Sequence, residues 1–198
     1  TPISLVAEIR NIVLVHPSVP AKSMKELITL ARKNPSKLNY GSGGVGTAAH
    51  LTSELIKSTT KTNIVHVPFK GAVQALVALM SGEIDVLITP VPAAQAQVQA
   101  GKVRALVVLS TERASALPDV PSAREAGVED YIVRLLYGIL APAGTPANLI
   151  GRLNSEIVKA MNSADLRKRL LAVSVAPLIS TPEQFADFIK TETVRYAK

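Results

Sequence analysis

Asn39-Tyr40-Gly41-Ser42-Gly43-Gly44-Val45-Gly46-Thr47-Ala48-Ala49-His50 reads as the end of a strand, a glycine-rich turn and the opening of a helix. Glycines at 41, 43, 44 and 46 permit backbone conformations closed to other residues, and a helix opening at Thr47 turns its free amides and positive dipole end toward the turn. The stretch is a candidate anion cradle. It is not a phosphate loop, because no Gly-Lys-Ser or Gly-Lys-Thr follows, and the fit to G-x-G-x-x-G fails at the third glycine. An anion smaller than a nucleotide suits it better; taken alone, the turn leaves phosphate, carboxylate and a catalytic oxyanion open.

Outward from this turn, strand and helix patterns alternate. Upstream, residues 3–7 and 11–15 read as strands, the second being the continuous apolar run expected of a buried parallel strand. Ser23-Met24-Lys25-Glu26 is a capping box that opens a helix ending before Asn34-Pro35. Downstream come a helix from Ala48, a strand at 63–67 stopped by Pro68, and a helix at 73–80. A strand at 85–88, a helix at 93–100 and a strand at 104–109 follow. Alternation with short connections predicts a parallel sheet covered by helices on both faces. The turns at 42–47, 68–73 and 89–93 would then lie together at the carboxyl edge of that sheet, where open α/β folds bind ligands.

The pattern changes after Thr111. Leu117-Pro118-Asp119-Val120-Pro121 is extended, Ser122 caps a short helix ended by Gly127, and 131–140 reads as one long strand interrupted at Gly138. Helices are expected at 148–161, at 165–172 and from Phe185 onward. A tail so rich in helix cannot complete a sheet alone, so its expected partners are either strands 3–7 and 133–140 or strands missing from this sequence.

Composition narrows the classes. With 47% hydrophobic residues the 198-residue chain is not disordered, and its longest apolar runs are too short and too broken to span a bilayer. The absence of Cys removes disulfides, thiolate metal sites and cysteine nucleophiles. The net charge of +7 is compatible with anions of any size, but the cations are spread over several helices and only 166–170 is a dense run, read as a solvated helix face. Three Phe, four Tyr and no Trp offer few platforms for stacking bases, so nucleic acid is not an expected partner.

His16, His50 and His66 lack metal-ligand spacing, so no metal and no cofactor is expected. Gly41-Ser42-Gly43 lacks the G-x-S-x-G frame, and a Ser42–His50 pair has no acid to orient it, which argues against an enzyme. His66, flanked by valines, reads as a hydrogen-bonded sheet residue. Val67-Pro68-Phe69-Lys70-Gly71 combines an apolar wall, a mobile cation and a helix entry, which suits a small anion with a hydrocarbon body as well as it suits an ordinary surface turn.

Six blocks carry a family resemblance: LNYGSGGVGTAAH at 38–50, IVHVPFKG at 64–71, GEIDV at 82–86, AGKVRAL at 100–106, LPDVP at 117–121 and YGILAPAGTP at 137–146. Together they resemble the Bug family, the periplasmic solute receptors of bacterial tripartite tricarboxylate transporters. The resemblance implies an α/β fold of the type II periplasmic binding protein kind, with two lobes closing on a small organic carboxylate. Residues 11–125 would be one complete lobe with a mostly parallel sheet. Residues 1–10 and 126–198 would be part of the other, together with crossover strands and C-terminal helices. The family's first lobe begins with a further stretch that has no counterpart here, so the chain is expected to be a fragment that exposes apolar surface and self-associates. A signal peptide is expected in the whole protein.

Carried over by motif, the implied ligand-binding residues are Ser42, Gly43, Gly46, Thr47, Ala48 and His50 in the first turn, Phe69, Lys70 and Gly71 in the second, Thr89, and Tyr137 as an aromatic wall. The family often has an acidic or amide residue just past Ile88. Thr89-Pro90 stands there in this chain, which disfavours ligands that carry an amino group. A tryptophan common just before Tyr137 is replaced by Leu136. The implied function is an extracytoplasmic receptor that binds a small organic acid and hands it to membrane transporter subunits. The alternative is the ligand-sensing domain of a transcription regulator built on the same two-lobe fold.

Overall fold

The computed structural model describes residues 1–196. The chain divides into two compact units, one formed by Arg10–Leu135 and the other by Thr1–Ile9 with the residues from Leu136 onward. In chain order the elements are β1 Pro2–Ile9, β2 Asn11–Val15, α1 Met24–Lys33, β3 Asn39–Ser42, α2 Ala48–Thr60, β4 Val65–Pro68, α3 Ala72–Ser81, β5 Val86–Pro90, α4 Val91–Gln99 and β6 Arg104–Val108. They continue with α5 Ala123–Ala126, a 3-10 turn at Glu129–Tyr131, β7 Leu135–Leu140, α6 Ala147–Met161, α7 Ala164–Ala172, β8 Val175–Pro177 and α8 Pro182–Tyr196.

The larger unit is built on a five-stranded sheet in the order β4-β3-β5-β2-β6. Strand periodicity of two sends Val13 and Val15 of β2 into a core beneath α1, α2 and α5, while Ile12 and Leu14 enter a second core beneath α3 and α4. All five residues of β2 are buried. Helix α1 starts on Ser23, whose hydroxyl accepts from the Glu26 amide at 3.2 Å, and buries Met24, Leu27 and Ala31 at helical spacing. Arg104 at the start of β6 donates to the carbonyls of Pro17, Val19 and Ala21, which fixes the proline-bracketed loop before that helix.

Strand β3 is parallel to both β4 and β5, whereas β2 is antiparallel to both β5 and β6. Four strands therefore share one direction and β2 opposes them. The expectation of a parallel strand at 11–15 is corrected on this point: an unbroken apolar run reports burial on both faces and is silent on direction. Because β3, β4 and β5 are parallel neighbours, the turns that follow them open along one edge of the sheet.

The smaller unit holds a three-stranded sheet in the order β7-β1-β8. Strand β8 pairs antiparallel with β1, Ala7 opposite Pro177 and Ile9 opposite Val175. A three-residue strand that ends in proline leaves no readable alternation, so this partner of 3–7 was absent from the expected elements. The long strand expected at 131–140 is also shortened, since 129–131 form the 3-10 turn. Helices α6 and α8 cover β1: the Asn154 amide donates to the carbonyls of Ile3 and Ser180, each at 2.9 Å, and Phe185 lies where a Cβ on Gly138 would be.

Candidate ligand site

The glycine turn is closed on itself by a short chain of hydrogen bonds. Ser42 ends β3 fully buried; its hydroxyl accepts from the Gly44 amide at 3.2 Å and lies 3.1 Å from the Gly44 carbonyl. That carbonyl also accepts from the Thr47 hydroxyl at 2.8 Å. Thr47 is the N-cap of α2, its side-chain oxygen accepting from the His50 amide at 3.4 Å, and Ala48 is the first helical residue. Gly44 and Gly46 adopt φ of 130° and 81°, a region that glycine enters without steric cost. The Gly46 amide donates to His50 Nδ1 at 3.3 Å.

The second turn packs directly against the first. The Phe69 amide donates to the Ser42 carbonyl at 2.9 Å, and a Cβ on Gly43 would stand only 3.1 Å from the Ala72 nitrogen. Gly43 is thus the residue that lets the two turns touch. Phe69 is half-buried against the core beneath α3 and α4, Lys70 is exposed, and Gly71 at φ 142° caps α3 without a side-chain hydrogen bond. Helix α4 begins on Pro90, again without a side-chain cap. Thr89, just before it, is fully buried, and its hydroxyl has no hydrogen-bond partner. Three helix starts therefore stand along one sheet edge, two of them uncapped by side chains. Tyr137 lies on β7 of the smaller unit, about half exposed.

The histidine beside Ser42 is His66 rather than His50: Ser42 Oγ and His66 Nε2 are 2.8 Å apart. Residues 40 and 42 of β3 face the same side as 66 and 68 of β4, because the strands pair Tyr40 with His66 and Ser42 with Pro68. The His66 ring stacks on Tyr40 at 4.7 Å and lies 4.5 Å from the His50 ring. Tyr40 in turn donates to Glu54 at 2.6 Å, and Lys57 donates to the same carboxylate oxygen at 2.7 Å. Burial, and then the loss of the hydroxyl proton beside a carboxylate, push the Tyr40 phenol above its ordinary value. Burial acts to raise Glu54, but the hydrogen bonds from Lys57 and Tyr40 outweigh it and leave the carboxyl below the usual range. His66 is held below its ordinary value by burial first and by the nearby His50 charge second.

Sequence reading placed none of Tyr40, Glu54, Lys57 or His66 in the site. The glycine spacing pointed to the turn, but the histidine that braces it arrives through the register of two strands 24 residues apart. Ser42 is fully buried, and among the described residues no carboxylate hydrogen-bonds the His66 imidazole. No group of three His, Cys, Asp or Glu side chains suited to a metal ion occurs among the described residues.

The model of the tripartite tricarboxylate transporter family receptor matches residues 1–198. The chain belongs to this family. Its relatives include the UPF0065 protein in the tcbD-tcbE intergenic region of Pseudomonas sp. (strain P51), 35% identical over 198 residues, which are all of this chain and 59% of that protein. Among solved structures, R. palustris Rpa4515 with adipate superposes with a TM-score of 0.90 at 30% identity, over 100% of this chain and 66% of that one. MatC (Rpa3494) from Rhodopseudomonas palustris with bound malate gives 0.84 at 31% identity, over 99% and 68%. The fold is thus the α/β architecture of the family's periplasmic binding proteins. The chain spans about 60% of the length of its curated relatives. Among the described residues no helix is long and apolar enough to cross a membrane.

Proposed function

We propose that the protein is a non-enzymatic, periplasmic receptor that binds a small organic carboxylate and hands it to the membrane subunits of a tripartite tricarboxylate transporter. One observation carries the reading: the starts of α2, α3 and α4 stand at the carboxyl edge of β3, β4 and β5, and the turn residues 42–50, 68–74 and 89–93 include no Asp or Glu. Helix starts at one edge, two of them without a side-chain cap, favour an anion through their amides and dipole ends. Lys70 is the single cation in those turns and stands exposed at their rim.

The candidate contacts are the backbone at Gly43, Gly46, Ala48 and Gly71, the side chains of Thr47, His50, Phe69 and Lys70, and, behind them, Ser42 and Thr89. The relatives solved with adipate and malate support a carboxylate ligand. A lone hydroxyl at Thr89, where an acid would recognise an ammonium group, favours plain carboxylates over amino acids. The test is a thermal-shift panel of mono-, di- and tricarboxylates on the whole protein, with the matching amino acids as controls. One or a few acids should raise the melting temperature and their amino analogues should not. A flat panel removes the carboxylate reading.

A further inference from the structure

Two imidazoles grip the glycine turn at different points, and they are not equivalent in chemistry. His66 faces a hydroxyl, Ser42 Oγ, which accepts or donates by rotating its proton, so a change in the charge of His66 leaves a hydrogen bond in place. His50 faces the Gly46 amide, which only donates, so that bond exists only while Nδ1 keeps its lone pair. Protonation at Nδ1 sets two donors against each other 3.3 Å apart.

We propose that His50 is a proton-operated latch on the cradle: its unprotonated Nδ1 occupies the Gly46 amide, and uptake of one proton from solvent releases that amide and places an imidazolium beside it. The ligand consequence rests on the carboxylate reading above: an anion oxygen takes the freed Gly46 N–H and pairs with the new cation, so binding and proton uptake are linked.

Charged and titratable groups surround this pair on every packed element. The rings are 4.5 Å apart, and burial together with the His50 charge disfavours a proton on His66. On α2, Glu54 stands one turn beyond His50 and is itself held low in part by the His50 charge, while Lys57 is tied to Glu54. Tyr40 of β3 presents a ring stacked on His66 and a hydroxyl already given to Glu54. The 3-10 turn packed on α2 carries Glu129, paired with Arg124, as well as Asp130 and Tyr131. Lys70, on the neighbouring turn, is exposed.

The experiment is nuclear magnetic resonance on the whole protein without ligand, with assigned His50 ring and Gly46 amide signals followed from pH 8 to pH 5. The Gly46 amide proton should shift and lose exchange protection in step with the His50 ring. In His50→Phe, which keeps a ring and loses the acceptor, the amide should not respond to pH. In His50→Gln, which retains an uncharged acceptor, it should stay protected throughout. A Gly46 amide indifferent to His50 titration in the unsubstituted protein overturns the latch. The second arm is calorimetry with adipate in buffers of different ionisation enthalpy. Affinity should rise about five-fold between pH 8 and 6 with net proton uptake, and become flat in both variants. Affinity independent of pH overturns the coupling, whereas binding of no carboxylate at any pH overturns the carboxylate reading and leaves the latch to be decided by the amide signal.

Discussion

At Gly46 the backbone stands at φ 81° and nothing lies within 4 Å of where a Cβ would point. A substitution there is opposed by backbone conformation, at about 1–2 kcal/mol, rather than by a clash. Gly46→Val should therefore leave the core intact and abolish stabilisation by carboxylates in a thermal-shift assay; unchanged affinity would take the turn out of the site. Gly43 is the opposite case, since its Cβ would press on the backbone at Gly71 and Ala72. Gly43→Ala should lower the melting temperature and the carboxylate affinity together. At Tyr40, buried and bonded to Glu54, loss of the hydroxyl in Tyr40→Phe removes one charge-assisted hydrogen bond while Lys57 continues to hold the carboxylate. Urea denaturation should show a loss of about 1–2 kcal/mol. The glycines were legible because they punctuate the chain, whereas Tyr40, His66 and Glu54 look like ordinary strand and helix residues until pairing and packing bring them together.

The short helix α5 is held by a reciprocal box in which Ser122 caps the Glu125 amide and Glu125 returns to the Ser122 amide at 2.8 Å. Arg113 adds two contacts to the same carboxylate, at 3.0 and 2.9 Å, and this pair, followed by the Ser122 amide, holds the Glu125 carboxyl down to about 2. A depressed carboxyl stabilises the fold above its unfolded value and loses that contribution as pH falls through its folded value. Melting temperature should therefore decline between about pH 4.3 and about 2, and Glu125→Gln should flatten that part of the profile; an unchanged acid limb would show that the box is not felt by the fold. Capping residues of this kind announce helix starts locally, and the caps at Ser23 and Ser122 were readable for that reason, although at Ser23 the full box does not form because Glu26 accepts from the Lys22 amide instead. Strand direction has no such local signature. The reversal of β2 shows only in its pairing with β5 and β6, and β8 is too short to show a period.

In the smaller unit β7 is an edge strand, and Tyr137, Ile139 and Leu140 on it are 40–59% exposed. An unpaired edge rich in apolar side chains is a template for another strand. Sedimentation of the 198-residue chain should show association that grows with concentration and is suppressed in Ile139→Lys; a single monomeric species at all concentrations would show the edge to be inert. Sequence alone determined the helices, the strands of the larger unit, the glycine turn and the family to which they belong, because each rests on local periodicity or on residues contiguous in the chain. Tertiary structure alone decided the sense of β2, the pairing of β1 with β8 and the histidine that braces Ser42. It also showed that the Gly46 amide of the glycine turn already holds an internal partner, His50. Those outcomes depend on register between distant strands, and hydrophobic patterning records burial without recording which neighbour supplies it.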